Sequence, residues 1–326
     1  LGIDLALFND KFTATIDYFD EKRTGIYMVR NYLPQIVGLN GHNPAANVGA
    51  VSSKGFDGHF SYKQRINDVN LTVRGNITYS KNEVLERDEE NNVYAYQMQR
   101  GYRVDQCKGL IAEGLFKDYD DIRNSPTQSW GKVQPGDIKY RDVNGDGVIN
   151  GYDTKPIFRN KTPKLFYGFT LNAQWKNMDL TMVFQGAGMY NIRFNEVFSQ
   201  MFFNNGNLPA YFFDRWHLED SYDPDNTNWV PGKWPANRFS QEMGSSYRDS
   251  QAWNMKASYL RLKSFEVGYI LPRTFTKKYG VENLRLYFNA YNLFTFTDSF
   301  LKQFDPEKTE GDYGAGYNYP LTKSFN

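Results

Sequence analysis

Hydrophobic and polar positions alternate most clearly between residues 164 and 184. In the first half of this stretch every second side chain is apolar: Leu165, Tyr167, Phe169, Leu171, Ala173 and Trp175. The positions between them are mostly polar: Lys164, Gly168, Thr170, Asn172 and Gln174. Because successive side chains of a β-strand point to opposite faces, this period of two predicts a strand with one apolar and one polar face.

A tight turn at residues 176–177 leads into a second alternating segment at residues 178–184. Each half of this hairpin is about ten residues long, which is the length that a tilted strand needs to cross a bilayer. The hairpin therefore predicts a piece of a transmembrane β-barrel. Its apolar side chains should face lipid, and Thr170, Asn172 and Gln174 should face the lumen.

Three further hairpins follow the same pattern. They join residues 2–9 to 12–20, 56–66 to 70–81, and 257–270 to 284–295. Long polar connections lie at residues 21–55, 82–163 and 187–254, and another follows Phe296. In the last hairpin the apolar parity changes after Leu262, which predicts a β-bulge near Lys263 and Ser264.

Short turns and long loops thus alternate along the chain. Outer-membrane barrels show this alternation because their periplasmic turns are short and their extracellular loops are long. We therefore predict an all-β fold, the wall of an antiparallel transmembrane β-barrel with about eight to nine strands. Its extracellular loops would include a first long loop at residues 82–163 and a second long loop at residues 187–254. A soluble all-β protein is the alternative that the pattern leaves open.

Composition narrows the functional classes. The 38 basic and 37 acidic side chains give a formal net charge of +1, which argues against a nucleic-acid binder. The mean hydropathy is −0.66 and there is no apolar run of about 18 residues, which excludes membrane-spanning helices. The single cysteine, Cys107, excludes an internal disulfide framework. His42, His59 and His217 are scattered, and no nucleophile or phosphate-binding motif occurs, so the chain is predicted not to be an enzyme.

Both ends of the chain lie within strand patterns. Residues from Leu1 onward are already in strand pattern without a signal peptide, and residues 319–325 begin a strand that stops at Asn326. A spanning strand needs about nine to eleven residues, and an open sheet edge in lipid leaves backbone groups without partners. These features predict a fragment whose end strands pair with polypeptide outside residues 1–326.

Several segments resemble those of a known family. They are P-G-D-I-K-Y-R-D-V-N-G-D-G-V-I-N at 135–150, T-P-K-L-F-Y-G-F-T-L-N at 162–172, A-S-Y-L-R-L-K-S-F-E-V-G-Y-I-L-P at 257–272 and V-E-N-L-R-L-Y-F-N-A-Y-N-L-F-T-F-T at 281–297. The segments 304–307 and 319–325 follow in the family's order. Essentially along its whole length, the chain resembles the SusC/RagA family of TonB-dependent outer-membrane transporters.

The resemblance implies that residues 1–326 are the C-terminal part of an active importer in the outer membrane of a Bacteroidetes-type bacterium. Such a transporter has a barrel of about 22 strands around an N-terminal plug, and the plug would be absent from this chain. The resemblance also implies a SusD-like surface lipoprotein as partner, TonB as energy source acting through the plug, and oligosaccharides or peptides as substrate.

One motif suggests a metal. Residues 142–153 fit the twelve-residue calcium loop of EF-hands and dockerins. The ligands would be Asp142, Asn144, Asp146, the Val148 carbonyl, Asn150 and Asp153. Because carboxylates that converge without a cation repel one another, the motif predicts a structural Ca²⁺ that rigidifies the first long loop. An Asx/Gly turn without metal is the alternative.

The second long loop carries a cluster of aromatic side chains. The candidate residues for contact with substrate or partner are Tyr211, Phe213, Trp216, Trp229 and Trp234. Aromatic faces beside amides and carboxylates suit sugars or peptides, whereas packing of the loop against itself or a partner is the alternative.

The strand pattern predicts an outer-membrane barrel wall, and the resemblance implies a TonB-dependent importer of oligosaccharides or peptides in the bacterial outer membrane. Two other functions stay open. One is a secreted all-β protein that binds or degrades glycans and carries a structural calcium, and the other is an adhesion or scaffold barrel.

Overall fold

The computed structural model describes residues 1–30, 32–33, 35–38, 42–90, 92–157, 162–194, 196–223, 225–238, 244–307 and 321–326. Among these residues a ten-stranded antiparallel sheet dominates, and it forms an open wall. Its strands are β1 (Gly2–Leu7), β2 (Phe12–Val29), β3 (Ala45–Ile66), β4 (Val69–Glu86), β5 (Leu165–Trp175), β6 (Met178–Arg193), β7 (Asn254–Ile270), β8 (Arg285–Tyr291), β9 (Thr295–Thr297) and β10 (Ser324–Phe325).

Neighbouring strands of the wall are mostly neighbours in the chain. Each strand from β1 to β8 pairs with the next one, β9 pairs with the outer part of β7, and β10 pairs with β8. Connections at one end, the short-turn end, are residues 8–11, 67–68, 176–177 and 271–284. The long connections all lie at the opposite end, the long-loop end. This arrangement confirms the predicted antiparallel all-β wall and the alternation of its connections.

Short elements fold the long connections and the connection at residues 271–284. Two-stranded ladders join Lys108–Gly109 to Lys155–Pro156, Ala112–Leu115 to Ile138–Tyr140, Thr127–Gln128 to Val148–Ile149, and His217–Leu218 to Trp229–Val230. The α-helices are Tyr119–Arg123, Glu196–Ser199 and Arg273–Thr276. The 3₁₀ turns are Gln35–Val37, Ala95–Gln97, Gly151–Asp153, Phe203–Asn205, Ala210–Asp214, Gln251–Trp253, Lys277–Tyr279 and Phe300–Gln303. Among the residues that the structure describes, every helix is too short or too polar to cross a membrane.

The cross-strand register tests the predicted faces. Leu171 lies opposite Val73 on β4 and Met182 on β6, and Val73 lies opposite Tyr62 on β3. Because directly paired residues share a face, these side chains form one apolar row across four strands. Phe169 and Phe184 extend this face with ring centroids 4.3 Å apart. The predicted parity of β5 is therefore confirmed, and the continuous apolar face suits contact with lipid.

Polar rows occupy the opposite face. Thr170 lies opposite Arg74, which lies opposite Ser61. One row nearer the short turns, Asn172 accepts a hydrogen bond from the Thr181 hydroxyl at 2.9 Å. The wall therefore separates an apolar face from a polar one, as a barrel wall between lipid and an aqueous lumen must.

The strands reach further toward the long-loop end than predicted. Residues 21–29 and 45–55 were expected to be loop but belong to β2 and β3, and residues 82–86 and 187–193 belong to β4 and β6. Polar and charged side chains fall on both faces there, so the period-two signal fades. Backbone pairing and cross-strand contacts, such as Lys54 to Asp20 at 2.9 Å, maintain these extensions.

The predicted bulge is confirmed. Val183 pairs with Ser264 and Phe184 pairs with Leu262, so Lys263 has no partner on β6. This extra residue restores the apolar side chains of β7 to one face. At the chain's end, Ser324 and Phe325 pair with Tyr291 and Ala290, whereas residues 319–320 lie outside the described residues. Of the strand predicted at residues 319–325, the described residues are 321–325, and only Ser324 and Phe325 form a strand, β10.

The main hydrophobic core lies in the long loops rather than in the wall. Its buried members are Leu110, Ile138, Tyr140, Ile149, Phe194, Met201, Phe212, Trp253 and Phe304. A smaller cluster links the outer ends of β6 and β7 to Leu301. The long loops therefore form a packed layer at the long-loop end of the wall.

Candidate functional site

A cavity of about 640 Å³ opens within this packed layer. Its walls come from both long loops, from the residue that follows β6 and from the segment after β9. Its lining includes Leu115, Ile138, Phe194, Trp234, Trp253 and Phe300. Ligand-binding sites commonly have volumes of about 300–1,000 Å³ and mainly apolar linings, so the cavity has the size and character of a binding site.

Trp234 is one of the aromatic residues that line the cavity. It is half-buried and stacks on Trp253, with ring centroids 6.1 Å apart and an interplanar angle of 16°. The ring centroids of Phe300 and Tyr211 lie 5.5 and 4.9 Å from that of Trp234. Trp253 is buried, and its indole N–H donates to the Ser246 carbonyl at 2.7 Å. Contacts with neighbouring rings thus hold Trp234 in the wall of the cavity, where an aromatic side chain can pack against a bound ligand.

Polar side chains also line the cavity beside these aromatic rings. Lys233 is exposed, and its ammonium nitrogen lies 5.7 Å from the centroid of the Trp234 ring. Asp298 accepts a hydrogen bond from the Phe300 N–H at 2.9 Å, and Gln251 and Ser299 also line the cavity. The arrangement offers an aromatic face with an amide, a hydroxyl and charges of both signs, which suits binding and orientation of a ligand.

The structure separates the five aromatic residues that the sequence singled out. Trp234 lines the cavity, and Tyr211 packs behind it, donating a hydrogen bond to the Phe198 carbonyl. Burial raises the pKa of Tyr211, so its phenol stays protonated. Trp216 is buried, Trp229 pairs with Leu218 in a short ladder, and Phe213 is 76% exposed. Only Trp234 of the five therefore faces the cavity, and self-packing accounts for Tyr211 and Trp216.

Sequence reasoning missed Trp253, Phe300 and Gln251. Gln251 and Trp253 lie just before β7, and Phe300 lies just after β9. All three residues lie outside the aromatic cluster at residues 211–234 that the sequence analysis singled out. Their shared feature is proximity to strand ends at the long-loop end. Once the alternation of short and long connections is known, a position near a strand end at the long-loop end marks a residue as a candidate for the cavity lining.

A buried ionic cluster ties the segment of Phe300 to the wall. The Arg261 guanidinium on β7 donates to Asp305 at 2.7 Å and to Glu307 at 2.7 Å. The side chains of Arg261 and Asp305 are only 4% and 3% exposed. Lys263 also contacts Glu307, and the Tyr190 hydroxyl donates to the Pro306 carbonyl at 2.5 Å. The cluster therefore fixes one wall of the cavity.

The predicted calcium loop folds as a network of Asx turns. Asp142 accepts hydrogen bonds from the Gly145 and Gly147 N–H groups at 2.6 and 2.8 Å. Buried Asp153 accepts from the Val143 and Asn150 N–H groups at 2.7 and 2.8 Å. Asn144, Asp146 and Asn150 likewise accept from N–H groups two residues ahead.

A neighbouring segment holds this loop in place. The Tyr96 hydroxyl donates to the Tyr152 carbonyl at 2.7 Å, and Gln97 donates to the Gly151 carbonyl at 2.9 Å. The side chain of Val148 is exposed, and its backbone N–H donates to Asp146 at 2.8 Å. Among the described residues, no three His, Cys, Asp or Glu side chains lie close enough to hold a metal ion. Backbone donors thus satisfy the carboxylates, and calcium at residues 142–153 stays a prediction.

Calcium binding can be separated from the metal-free turn by Asp142→Ala. If Ca²⁺ binds, a concentration 100 times the dissociation constant should stabilise the protein by about 2.7 kcal/mol, and the variant should lose that gain. The measurement is the shift in unfolding temperature on adding Ca²⁺, with Mg²⁺ as a parallel addition. Asp120→Ala, which removes an exposed carboxylate outside the loop, is the control. A variant that is equally destabilised with and without Ca²⁺ would support the Asx turn alone.

Comparison with known proteins adds whole-chain similarity. No family model matches the chain. TonB-dependent receptor P3 of Formosa agariphila is 27% identical over 352 aligned residues, which cover all of this chain and 33% of that protein. TonB-dependent receptor P26 of the same organism is 24% identical over 349 residues, again covering all of the chain and 33% of the relative. The chain thus spans about a third of the length of these relatives, whose names agree with the non-enzymatic interpretation.

Solved structures show the same fold. The RagAB peptide transporter superposes on 99% of this chain with a TM-score of 0.72 and 21% identity, covering 33% of the matched chain. The RagAB peptide importer in its 'open-open' state gives a TM-score of 0.70 and 20% identity with the same coverage. These comparisons confirm the resemblance of the chain, along its whole length, to TonB-dependent receptors, and they show that it shares its fold with part of the RagAB structures.

Proposed function

We propose that the chain is part of a TonB-dependent receptor that actively imports oligosaccharides or peptides across the bacterial outer membrane. The observation that carries the proposal is similarity to TonB-dependent receptors over the entire chain. The ten-stranded wall, whose long connections all lie at one end, supports it. Because the chain spans a third of its relatives, the remaining barrel strands and a plug would belong to the complete receptor.

The two faces of the wall support a place in a membrane. Leu171, Val73 and Tyr62 form an apolar row that a bilayer would cover, and Thr170 and Arg74 lie on the face that water would hydrate. A secreted glycan-binding or glycan-degrading protein would leave the apolar face in contact with water. Fractionation separates these functions, because the receptor should stay with outer membranes until detergent extracts it.

The cavity at the long-loop end would hold part of the substrate. Trp234 and Phe300 offer faces that suit either a sugar ring or an apolar peptide side chain. Gln251, Ser299 and Asp298 would supply hydrogen bonds to hydroxyl or amide groups. Catalysis has no part in this role, since the receptor would bind, orient and release its substrate unchanged.

Partners would act at the two ends of the wall. The packed layer of long loops lies where a SusD-like lipoprotein would dock to cover the barrel, and such an interface would bury at least about 1,200 Å². TonB would act from the short-turn end through the plug of the complete receptor. The whole-chain resemblance to TonB-dependent receptors supports both partners.

Trp234→Ala in the complete receptor tests the role of the cavity. Loss of an anchoring aromatic residue commonly costs about 2 kcal/mol of binding, roughly 30-fold in affinity. We therefore expect uptake at low substrate concentration to fall by about that factor. The probes are a labelled oligosaccharide mixture and a labelled peptide mixture, supplied to cells with and without TonB.

Tyr222→Ala is the matched control, because Tyr222 is an aromatic residue of the same loop that is 96% exposed and lies outside the cavity lining. Cells with the Tyr222→Ala receptor should take up the labelled mixtures as fast as cells with the natural receptor. If neither mixture enters cells in a manner that requires both the receptor and TonB, the proposed function is wrong. If uptake occurs but Trp234→Ala leaves it unchanged, the cavity is not part of the substrate site.

A further inference from the structure

The connection between β7 and β8, residues 271–284, differs from the other described connections at the short-turn end. It contains the helix Arg273–Thr276 and the 3₁₀ turn Lys277–Tyr279 in place of a tight turn. Thr276 is only 2% exposed, and its carbonyl accepts from the Val281 N–H at 3.2 Å. The Leu271 N–H donates to the Leu284 carbonyl at 2.9 Å and closes the base of the connection. The connection is therefore a folded element with a defined surface.

That surface carries two large exposed rings. Phe275 is 53% exposed and Tyr279 is 71% exposed, and their ring centroids lie 5.6 Å apart. They stand one helical turn apart and share a side of the connection. Exposed aromatic residues continue onto the adjacent strand ends, where Trp175 is 48% exposed and Tyr269 is 42% exposed. The apolar face of the wall thus ends in an aromatic border at this connection.

The same surface is basic. Residues 271–284 contain three basic side chains, Arg273, Lys277 and Lys278, and one acidic side chain, Glu282, which leaves an excess of two positive charges. The three tight turns at this end carry Asp10, Lys11, Asp68 and Lys176, whose charges cancel. Within the part of the chain that the structure describes, no ion pair involves any of the three basic side chains, and all three are exposed. Among the four connections at this end, residues 271–284 therefore carry the largest net positive charge.

We propose that residues 271–284 form a binding surface for anionic phospholipid headgroups in the leaflet at the short-turn end, an inference that rests on the proposed membrane location. Rings at the border of an apolar face lie at the depth of the headgroups, and basic residues just beyond them meet the lipid phosphates. Lys277, Lys278 and Arg273 would donate hydrogen bonds to phosphodiester oxygens. Phe275 and Tyr279 would lie at the boundary with the acyl chains.

The test measures which lipids stay with the complete receptor. The receptor is placed in nanodiscs that contain phosphatidylglycerol and phosphatidylethanolamine, released with mild detergent, and its bound lipids are quantified by native mass spectrometry. The natural receptor should retain phosphatidylglycerol in excess of its share in the nanodisc. Because each basic residue near an anionic surface contributes about 1 kcal/mol, or roughly fivefold, Lys277→Gln with Lys278→Gln should lower this enrichment by about 25-fold.

Lys11→Gln is the control, because it removes an exposed lysine from a tight turn at the same end of the wall. It should leave the enrichment unchanged, and heat-dependent mobility in detergent gels checks that both variants are folded. Equal enrichment in the natural receptor and the Lys277/Lys278 variant overturns the inference, as does an equal loss in the control. If the Lys277/Lys278 variant keeps its phosphatidylglycerol enrichment but loses a co-purifying protein, the surface binds a protein partner and the inference is also overturned. Lipid retention needs no transport, so a receptor that imports nothing but retains phosphatidylglycerol would remove the proposed import alone.

Discussion

Replacing Arg261 with alanine should destabilise the receptor by about 3–5 kcal/mol, because the change leaves the buried carboxylate of Asp305 without its charged partner. Arg261 and Asp305 are 4% and 3% exposed, so water cannot replace the guanidinium without a rearrangement. The N–H groups of Glu307 and Leu321 still donate to Asp305 at 3.0 and 2.7 Å, which limits the loss. The measurement is the free energy of unfolding in a denaturant titration of the complete receptor.

Arg193→Ala is the control for this prediction. Arg193 also pairs with a carboxylate, Asp249, at 2.5 Å, but the two side chains are 54% and 53% exposed. An exposed pair contributes at most about 1 kcal/mol. If the two alanine variants lose the same stability, burial does not govern the strength of the Arg261 pair.

The Arg261 contribution should also depend on pH in a defined direction. Burial by itself would raise the pKa of Asp305, but hydrogen bonds from Arg261 and from the N–H groups of Leu321 and Glu307 outweigh burial and lower that pKa. A lowered folded-state pKa gives stability that is present above the ordinary aspartate value, near 4, and lost as pH falls through the folded-state pKa. The stability that ionised Asp305 gives the natural receptor should therefore stay constant from neutral pH to about pH 5 and fall below about pH 4, as measured by denaturant titrations across this pH range.

Placing arginine at Leu171 should cost about 2–4 kcal/mol if this position lies near the middle of the membrane. Leu171 is in the central part of β5, in the apolar row with Val73 and Met182. A guanidinium there must leave water or distort the surrounding lipid. The measurement is a folding titration of the receptor in lipid vesicles.

Asn172→Arg is the control at nearly the same depth. Asn172 is on the polar face opposite Thr72 and Thr181, where water would hydrate the added charge. It should lose about 1 kcal/mol or less, mainly through its hydrogen bond with Thr181. A neutral Leu171→Arg, or equal losses for both variants, would show that the apolar face does not meet lipid.

The local pattern was sufficient where each strand has one apolar and one polar face. β5 occupies Leu165–Trp175 as its alternation predicts, and the bulge at Lys263 follows from the change of parity in β7. Both features arise from the pleat, which depends only on the order of side chains along one strand. The same signal failed for residues 21–29 and 45–55, because polar residues there fall on both faces and pairing between distant segments keeps them extended.

The lining of the candidate site could be predicted from the sequence only in part. The sequence pointed to Trp234 but also to Phe213, which is exposed to solvent, and it did not point to Trp253 or Phe300. Aromatic content identifies a segment that can pack or bind, but it does not show which ring faces a cavity. That outcome depends on contacts such as Trp234 with Phe300, whose residues lie far apart in the chain.

The order of residues was enough to predict the antiparallel wall, the two faces of its central strands and the alternation of short and long connections, because period-two patterning and turn residues act within a few residues. Tertiary contacts set the packing of the long loops, the choice of aromatic residues that line the cavity, and the anchoring of the segment around Asp305 by Arg261. Those contacts join residues from separate loops and strands, and their energies depend on burial and distance that exist only after the chain has folded.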